Sequence, residues 1–91
     1  MARLTPDRPV GGAPDRAAAQ LDVLGLKCPL PVLKTQAALA RLRPAELLEV
    51  VADDPIAAID IPHCVAIGGH ALLESSGNAG VLRFTIRKGA G

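Results

Sequence analysis

The chain has 91 residues, 49% of them hydrophobic, but Phe84 is its only aromatic residue, and ten basic residues against nine acidic ones leave a formal charge of +1. A chain of this length forms at most one domain with a modest core, so it has no room to enclose a large cofactor, and we expect its chemistry to lie on the surface. The near-neutral charge and the lack of aromatic side chains disfavour direct nucleic-acid binding, and no apolar stretch approaches the ~20 residues of a membrane span.

Residues 1–17 predict a disordered N-terminal tail ahead of a single domain over residues 18–91. Proline and glycine recur through the tail, and no apolar period runs along it. The tail also lacks the apolar core of a secretory signal, so we expect a cytoplasmic protein. Two cysteines do not form a disulfide framework, and in a reducing compartment we expect both to be free thiols.

The first half of the domain predicts a strand followed by a helix. Apolar and polar residues alternate over 18–24, which is a strand pattern, and Gly25 ends it. A helical apolar period then runs from Pro31 to about Leu42. Proline suits the first turn of a helix, where its missing N–H costs nothing, and Pro44 stops the helix.

The next segment predicts a second strand over 46–52 and a second helix. Asp54 and Pro55 mark the helix start, because aspartate caps helices and proline fits the first helical position. Capping explains this carboxylate better than acid–base catalysis, which would need a facing partner and a pocket.

The end of the chain predicts the rest of this helix and a hairpin. We expect Ile56 and Ile59 to face inward and Pro62 to break the helix, with a short second segment after it. Two further strands, over 70–74 and 81–87, are joined by a hairpin loop.

This order of elements, β-α-β-α-β-β, predicts an α/β (α+β) two-layer sandwich. The first β-α-β unit should be parallel and right-handed, and the last two strands should be antiparallel. A mixed four-stranded sheet with both helices on one face satisfies these constraints.

The segment that indicates chemistry is Cys28-Pro29-Leu30-Pro31, between the first strand and the first helix. The thiolate is the nucleophilic form of cysteine, and the start of a helix favours an anion through its free N–H groups and its dipole. The rigid proline rings would fix where Cys28 points, and Lys27 would add positive potential. The pattern therefore predicts a reactive thiol.

Other interpretations of Cys28 stay open at this point. The N–H groups expected to stabilise the anion are those of Leu30, Val32 and Leu33. If they do not, Cys28 is a small buried hydrophobe beside prolines that merely start a helix, since free cysteine is among the most buried residue types. A thioredoxin-like site is less favoured, because that motif needs a second cysteine where Pro31 stands.

Several motifs in sequence order resemble the TusA-type (SirA-like) sulfur carriers and together cover about residues 20–89. They are Leu21-Asp22-x-x-Gly25-x-x-Cys28-Pro29-x-Pro31, Pro44-x-Glu46, Asp53-Asp54-Pro55, Asp60-Ile61-Pro62 and Ile86-Arg87-Lys88-Gly89. The resemblance implies a two-layer sandwich like the C-terminal domain of a translation initiation factor. The chain departs from the family at Leu24 and Leu30, where some members carry arginine and an acidic residue, and both positions flank the transfer site.

The resemblance further implies a sulfur carrier and sulfurtransferase. Cys28 would be the catalytic residue, holding a sulfane sulfur as a persulfide, with Pro29 and Pro31 positioning it and Lys27 assisting. The implied partners are a cysteine desulfurase or rhodanese as donor and a downstream acceptor protein, with no cofactor and no metal. Family destinations include tRNA thiolation, molybdenum cofactor assembly and sulfur oxidation. The alternative is a non-catalytic binding or regulatory module that keeps the family fold.

The remaining candidates have simpler structural interpretations. We expect Cys64 to be a structural thiol, with an accessory thiol as the alternative. His63 and Cys64 are neighbours and match no common zinc spacing. Arg83, Arg87 and Lys88 on the last strand predict a solvated face, with a docking patch as the alternative.

Overall fold

The computed structural model describes residues 18–90, so the predicted tail over residues 1–17 lies outside the described residues. Six elements follow one another in the predicted order. The strands are β1 (Ala19–Val23), β2 (Leu47–Ala52), β3 (Ala71–Asn78) and β4 (Val81–Arg87), and the helices are α1 (Leu30–Ala40) and α2 (Ala57–Ile67). Neither helix in this part of the chain is long and apolar enough to cross a membrane.

The four strands form one mixed sheet in the order β1-β2-β4-β3. β1 pairs with β2 in parallel, with Val23 opposite Ala52, whereas β4 is antiparallel to both of its neighbours. Helix α1 contacts β1 and β2, helix α2 contacts β3 and β4, and the two helices contact each other. The predicted two-layer sandwich with a mixed four-stranded sheet is confirmed.

An apolar core fills the space between the sheet and the helices. Alternate residues of β2 are buried, as expected where side chains point in turn to the two faces of a sheet. The core residues are Val23, Leu39, Leu48, Val50, Ala52, Ala57, Ile61, Val65, Phe84 and Ile86. Full burial of each larger aliphatic side chain contributes roughly 1.5–3 kcal/mol, so aliphatic packing can hold this fold with a single aromatic residue.

Helix α2 runs without a break through Pro62, so the prediction of a break there is wrong. Proline removes the N–H that would have bonded to the carbonyl of Ala58, and Ala58 lies on the exposed side of the helix. Ile61 and Val65 are buried on either side of the proline. Their burial, at roughly 1.5–3 kcal/mol each, offsets the ~3 kcal/mol that a proline costs inside a helix.

The inward face of α2 also differs from the prediction. The helix begins at Ala57, after a turn at Pro55, rather than at Pro55 itself. Ile56 and Ile59 are exposed, and Ala57 and Ile61 are buried instead. The sequence is apolar at nearly every position here, so its periodicity does not determine which side faces the core.

The hairpin is tighter than predicted, because β3 continues to Asn78. In place of the expected long loop, a two-residue turn of Ala79 and Gly80 joins the strands, with φ of 55° and 83°, and Asn78 pairs with Val81. Positive φ at both central positions gives a turn that matches the twist of paired strands. The serine, glycine and asparagine before the turn are typical loop residues, which is why the pattern predicted a loop.

Lys88 is buried, so the prediction that it belongs to a solvated face is wrong. Its Nζ donates hydrogen bonds to the carbonyls of Leu39 (2.7 Å) and Leu42 (3.2 Å). Leu39 lies in the last turn of α1 and Leu42 just beyond it. A positive charge there suits the helix dipole. Arg83 and Arg87 are exposed, as predicted.

Candidate functional site

Cys28 lies in the loop between β1 and α1, directly before the helix. Gly25, the second residue of the loop, has a φ of 81°, a conformation that favours glycine. The N–H of Leu30 donates to the carbonyl of Lys27 (2.8 Å), which closes a tight turn around Cys28. The Cys28 side chain is partly exposed, so it is neither a core residue nor a fully solvated one.

The two prolines of the motif lie at the start of α1. Pro29 is exposed and precedes the helix, and Pro31 lies in its first turn, as predicted. Pro31, Thr35 and Leu39 are buried at a spacing of four residues, which places them on one face of the helix. The Thr35 hydroxyl donates to the carbonyl of Pro31 (2.8 Å). This buried face anchors the start of α1 and, with it, the position of Cys28.

Two aspartates from the loop after β2 hold the Cys28 loop in place. Asp53 Oδ1 accepts the N–H of Gly25 (2.9 Å), and Asp54 Oδ2 accepts the N–H of Cys28 (2.7 Å). β1 and β2 are parallel neighbours, so the loops at their carboxyl ends lie side by side at one edge of the sheet. The acidic pair therefore joins two loops that are far apart in sequence.

Asp54 also caps the turn that leads into α2, where its Oδ1 accepts the N–H of Ile56 (3.1 Å). The hydrogen bond from the Cys28 N–H, then that from the Ile56 N–H, and to a lesser degree the charge of Lys27 lower the pKa of Asp54, against the opposing effect of desolvation. A lowered pKa keeps this carboxylate ionised at neutral pH.

A third carboxylate contacts the sulfur itself, because Cys28 Sγ donates a hydrogen bond to Asp60 Oδ2 (2.9 Å). This bond raises the pKa of Cys28 to about 11, together with desolvation and the negative charges of Asp60 and Asp54. A hydrogen bond from the protonated form and nearby negative charges both disfavour the thiolate. The unloaded Cys28 is therefore a thiol at neutral pH.

The expectation that the helix start stabilises a thiolate is thus wrong for the unloaded protein. Of the N–H groups expected to face the sulfur, that of Leu30 bonds to the carbonyl of Lys27, and that of Leu33 bonds to the carbonyl of Pro29 (3.0 Å). The two carboxylates dominate the electrostatics of the sulfur instead. Lys27 is exposed beside Cys28, and its charge acts on Asp54.

The carboxylates were not among the predicted site residues. The sequence pattern predicts a helix start at Asp54, and Asp53 and Asp60 stand only within the motifs that resemble the family. The signal that could have identified them was the recurrence of aspartate in the motifs Asp53-Asp54-Pro55 and Asp60-Ile61-Pro62. Their contacts depend on how two loops and a helix meet in space, which the spacing of residues does not specify.

The elements that position Cys28 also carry exposed apolar side chains. We call these side chains the apolar rim: Leu24, Leu30, Leu33, Ile56 and Ile59. Ile59 is 72% exposed, although a side chain of this kind is usually buried. Exposed apolar side chains on the segments that form a polar site are typical of surfaces that bind another protein.

Cys64 is buried on α2, one helical turn after Asp60. Burial raises the pKa of its thiol, and a hydrogen bond with Gln36 opposes that rise. Cys64 borders a cavity of about 210 Å³ whose lining does not include Cys28. This placement favours the structural interpretation of Cys64.

Neither histidine of the described residues forms a hydrogen bond with Cys28. His63 is exposed on α2, and His70 accepts the N–H of Gly89 at its Nδ1 (2.9 Å). Within residues 18–90, no group of three or more His, Cys, Asp or Glu side chains is arranged to hold a metal ion.

Comparison with known proteins adds independent support for the resemblance. Residues 19–88 match the family model of sulfurtransferase TusA. The chain is 41% identical over 69 residues to YrkI of Bacillus subtilis (strain 168), a proposed sulfur carrier, and the match covers 76% of this chain and 92% of YrkI. The crystal structure of a SirA-like protein from Desulfitobacterium hafniense superposes with a TM-score of 0.68 at 29% identity, covering 77% of this chain and 96% of that one. This chain belongs to the TusA family of sulfurtransferases.

Proposed function

We propose that this protein is a sulfur carrier that accepts a sulfane sulfur on Cys28 as a persulfide and passes it to a partner protein. The observation that carries the proposal is the partly exposed Cys28 thiol at the start of α1, with its backbone N–H bonded to Asp54 and its sulfur bonded to Asp60. Transfer between two proteins needs a reacting atom that is both held in place and accessible, because correct orientation lowers the barrier.

The proposed chemistry is an exchange between sulfur atoms. In loading, Cys28 Sγ attacks the terminal sulfur of a donor persulfide. A new S–S bond forms, the donor's S–S bond breaks, and its electron pair leaves on the donor's own sulfur as a thiolate. Unloading is the same reaction with an acceptor thiolate as nucleophile and Cys28 as leaving group. Neither step needs an oxidant, a reductant or a cofactor.

Pro29, Pro31 and Lys27 support this chemistry in the proposal. Buried Pro31 fixes the start of α1, and exposed Pro29 stiffens the chain between it and Cys28. A terminal persulfide is an anion near neutral pH, so the neighbouring Lys27 ammonium would attract it once the carrier is loaded.

The proposed partners are proteins at both ends of the transfer. The donor is a cysteine desulfurase or a rhodanese, and the acceptor is a downstream protein that takes the sulfur for tRNA thiolation, molybdenum cofactor assembly or sulfur oxidation. The apolar rim is the docking surface for these partners, because its exposed side chains lie on the loops and helix starts that position the partly exposed Cys28. A cytoplasmic setting would keep both thiols reduced.

The proposal is tested by loading two cysteine variants with a cysteine desulfurase and cysteine, and separately with a rhodanese and thiosulfate. Cys28→Ser should take up no sulfur, whereas Cys64→Ser should load as the wild type does, because Cys64 is buried. Persulfide content is measured by alkylation and mass spectrometry, with circular dichroism to check folding.

Two results would contradict the proposal. Sulfur uptake by folded Cys28→Ser would assign the chemistry to another group. No uptake by the wild type from either donor would favour the non-catalytic binding module, for which the raised pKa of the unloaded thiol would then be the supporting observation.

A further inference from the structure

The contact between Cys28 Sγ and Asp60 Oδ2 (2.9 Å) is unusual for a nucleophile, because it favours the unreactive form of the sulfur. Cysteines that act as nucleophiles commonly lie near lysine, arginine or protonated histidine, which favour the thiolate. The carboxylate beside Cys28 therefore needs an explanation that its sulfur chemistry alone does not give.

The charges that face Cys28 come from three parts of the chain. Asp60 approaches from α2, Asp54 from the loop before α2, and Lys27 precedes Cys28 in its own loop. His63, one turn after Asp60, is exposed on α2. Within residues 18–90, no cationic side chain lies within ion-pair distance of Asp60. Two carboxylates therefore lie near Cys28 against one ammonium group. The hydrogen bond to Asp60, desolvation and the two negative charges raise the pKa of Cys28 from 9.0 to about 11.

We propose that Asp60 holds the hydrogen of the unloaded Cys28 thiol, and that a basic side chain of the sulfur-donating protein pairs with Asp60 on docking and thereby frees the sulfur to attack. This inference rests on the proposed carrier function and identifies the chemistry that the donor must bring to the site. The free carrier is then protected from oxidation and from stray electrophiles, and the thiol becomes reactive only in the complex.

The docked step balances as follows. The partner cation pairs with the Asp60 carboxylate, the Sγ–H hydrogen bond opens, and the thiol proton passes to the departing donor thiolate. Sγ forms an S–S bond with the terminal sulfur of the donor persulfide, and the donor's S–S bond breaks. The donor is left as a thiol and Cys28 as a persulfide, with no net oxidation or reduction.

The loaded form should bond to Asp60 less well than the thiol does. A persulfide anion has no hydrogen to donate, and its charge is repelled by the carboxylate. Asp60 therefore favours release of sulfur from the loaded carrier, which is the direction a carrier needs once the donor has left.

The restraint on the thiol is tested without any sulfur donor, by the rate of alkylation of Cys28 with iodoacetamide across a pH series. Asp60→Asn keeps the size of the side chain and removes its charge. Loss of this carboxylate should bring the pKa of the thiol back toward its ordinary value of 9.0. The variant then has many more thiolates, each somewhat less nucleophilic, so Cys28 should be alkylated about tenfold faster near neutral pH. The midpoint of the pH profile should fall as well, and peptide mapping separates Cys28 from Cys64.

Glu74→Gln is the matched control, because it removes one exposed carboxylate from β3, where it touches neither Cys28 nor Asp60. Its pH profile should match that of the wild type. Asp60→Ser serves as a second variant if the asparagine variant does not fold. An unchanged profile in folded Asp60→Asn or Asp60→Ser would overturn the proposal.

The role of the partner cation is tested by comparing two donors. A polysulfide anion is a small donor without a basic side chain, so Asp60→Asn should load from it about tenfold faster than the wild type, in line with the alkylation rate. Loading from a cysteine desulfurase should not accelerate, because the variant has lost the carboxylate that the enzyme's cation pairs with. Equal acceleration with both donors would overturn the partner-cation step.

These outcomes separate the inference from the carrier function itself. If Asp60→Asn changes the alkylation profile but neither protein loads sulfur from any donor, Asp60 does hold the thiol hydrogen and the carrier function is wrong. If the wild type loads on Cys28 and the alkylation profiles coincide, the carrier function stands and the restraint fails.

Discussion

The carboxylates around Cys28 have different tasks, although they share one edge of the sheet. Asp53 and Asp54 accept backbone N–H groups and so fix the loop that carries the cysteine. Asp60 accepts the hydrogen of the thiol and so acts on the chemistry of the sulfur. Substitutions at Asp54 should therefore affect the stability of the fold, whereas substitutions at Asp60 should affect the reactivity of the thiol.

We expect Asp54→Asn to lower stability at neutral pH and to flatten its dependence on acid. The pKa of Asp54 is lowered in the folded protein, so the ionised form stabilises the fold above the unfolded pKa of ~3.9. That contribution is lost as the pH falls through the lower folded pKa. Urea unfolding at neutral pH and at a series of pH values below about 4 measures the effect.

Glu74→Gln again provides the comparison, since it removes an exposed carboxylate that holds no loop. Its free energy of unfolding should stay within about 0.5 kcal/mol of the wild type at neutral pH, as is usual for surface changes. If Asp54→Asn and the wild type lose stability in parallel as the pH falls, Asp54 does not stabilise the fold through its charge.

At the scale of elements, the end of α1 depends on a side chain from the end of the sheet. Lys88 follows β4, and its ammonium donates to the carbonyl of Leu39 in the last turn of α1 and to that of Leu42 just beyond the helix. The sequence predicts a solvated Lys88, because it follows Arg83 and Arg87 at the end of the last strand. Burial of the lysine depends on the approach of α1 to the end of β4, which strand alternation alone does not specify.

We expect Lys88→Met to destabilise the fold by about 1.5–3 kcal/mol, because hydrogen bonds from a charged donor contribute that much and methionine cannot donate to either carbonyl. The control is Arg87→Met, which removes the neighbouring exposed cation and should change stability by less than about 0.5 kcal/mol. Equilibrium urea unfolding of both variants gives the comparison. Equal effects would show that the cap at the end of α1 contributes nothing specific.

Helix α2 shows where sequence patterns stop being informative. Alternation of apolar and polar residues predicted β1 well, because one buried face imposes a period of two. In α2 the apolar residues surround the helix, so the pattern fixed neither its first residue nor its buried face. The sequence therefore did not predict the contact between Asp60 and Cys28, because this contact accompanies the helix orientation that buries Ala57 and Ile61.

At the scale of the whole molecule, the order of the strands explains why the site exists. β1 and β2 are adjacent and parallel, so the loops that follow them meet at one edge of the sheet. The predicted β-α-β unit already implied this meeting, and the Cys28 motif was placed correctly at its first loop. The second loop and α2 supply the carboxylates, so the surroundings of Cys28 depend on contacts between segments more than 20 residues apart.

The apolar rim extends the same geometry to the surface. Its side chains lie on both loops and on the first turns of both helices, so a partner that covers the rim also covers Cys28. In the proposed carrier function, specificity would come from the surface that a partner protein contacts.

Sulfur loading on Cys28 is tested by intact-protein mass spectrometry of the wild type after incubation with a cysteine desulfurase and cysteine, followed by peptide mapping. We expect the mass of one added sulfur atom, lost on treatment with a reductant and mapped to the peptide that contains Cys28. A protein that gains no sulfur from either a desulfurase or a rhodanese, or that gains it on Cys64, would contradict the proposed function.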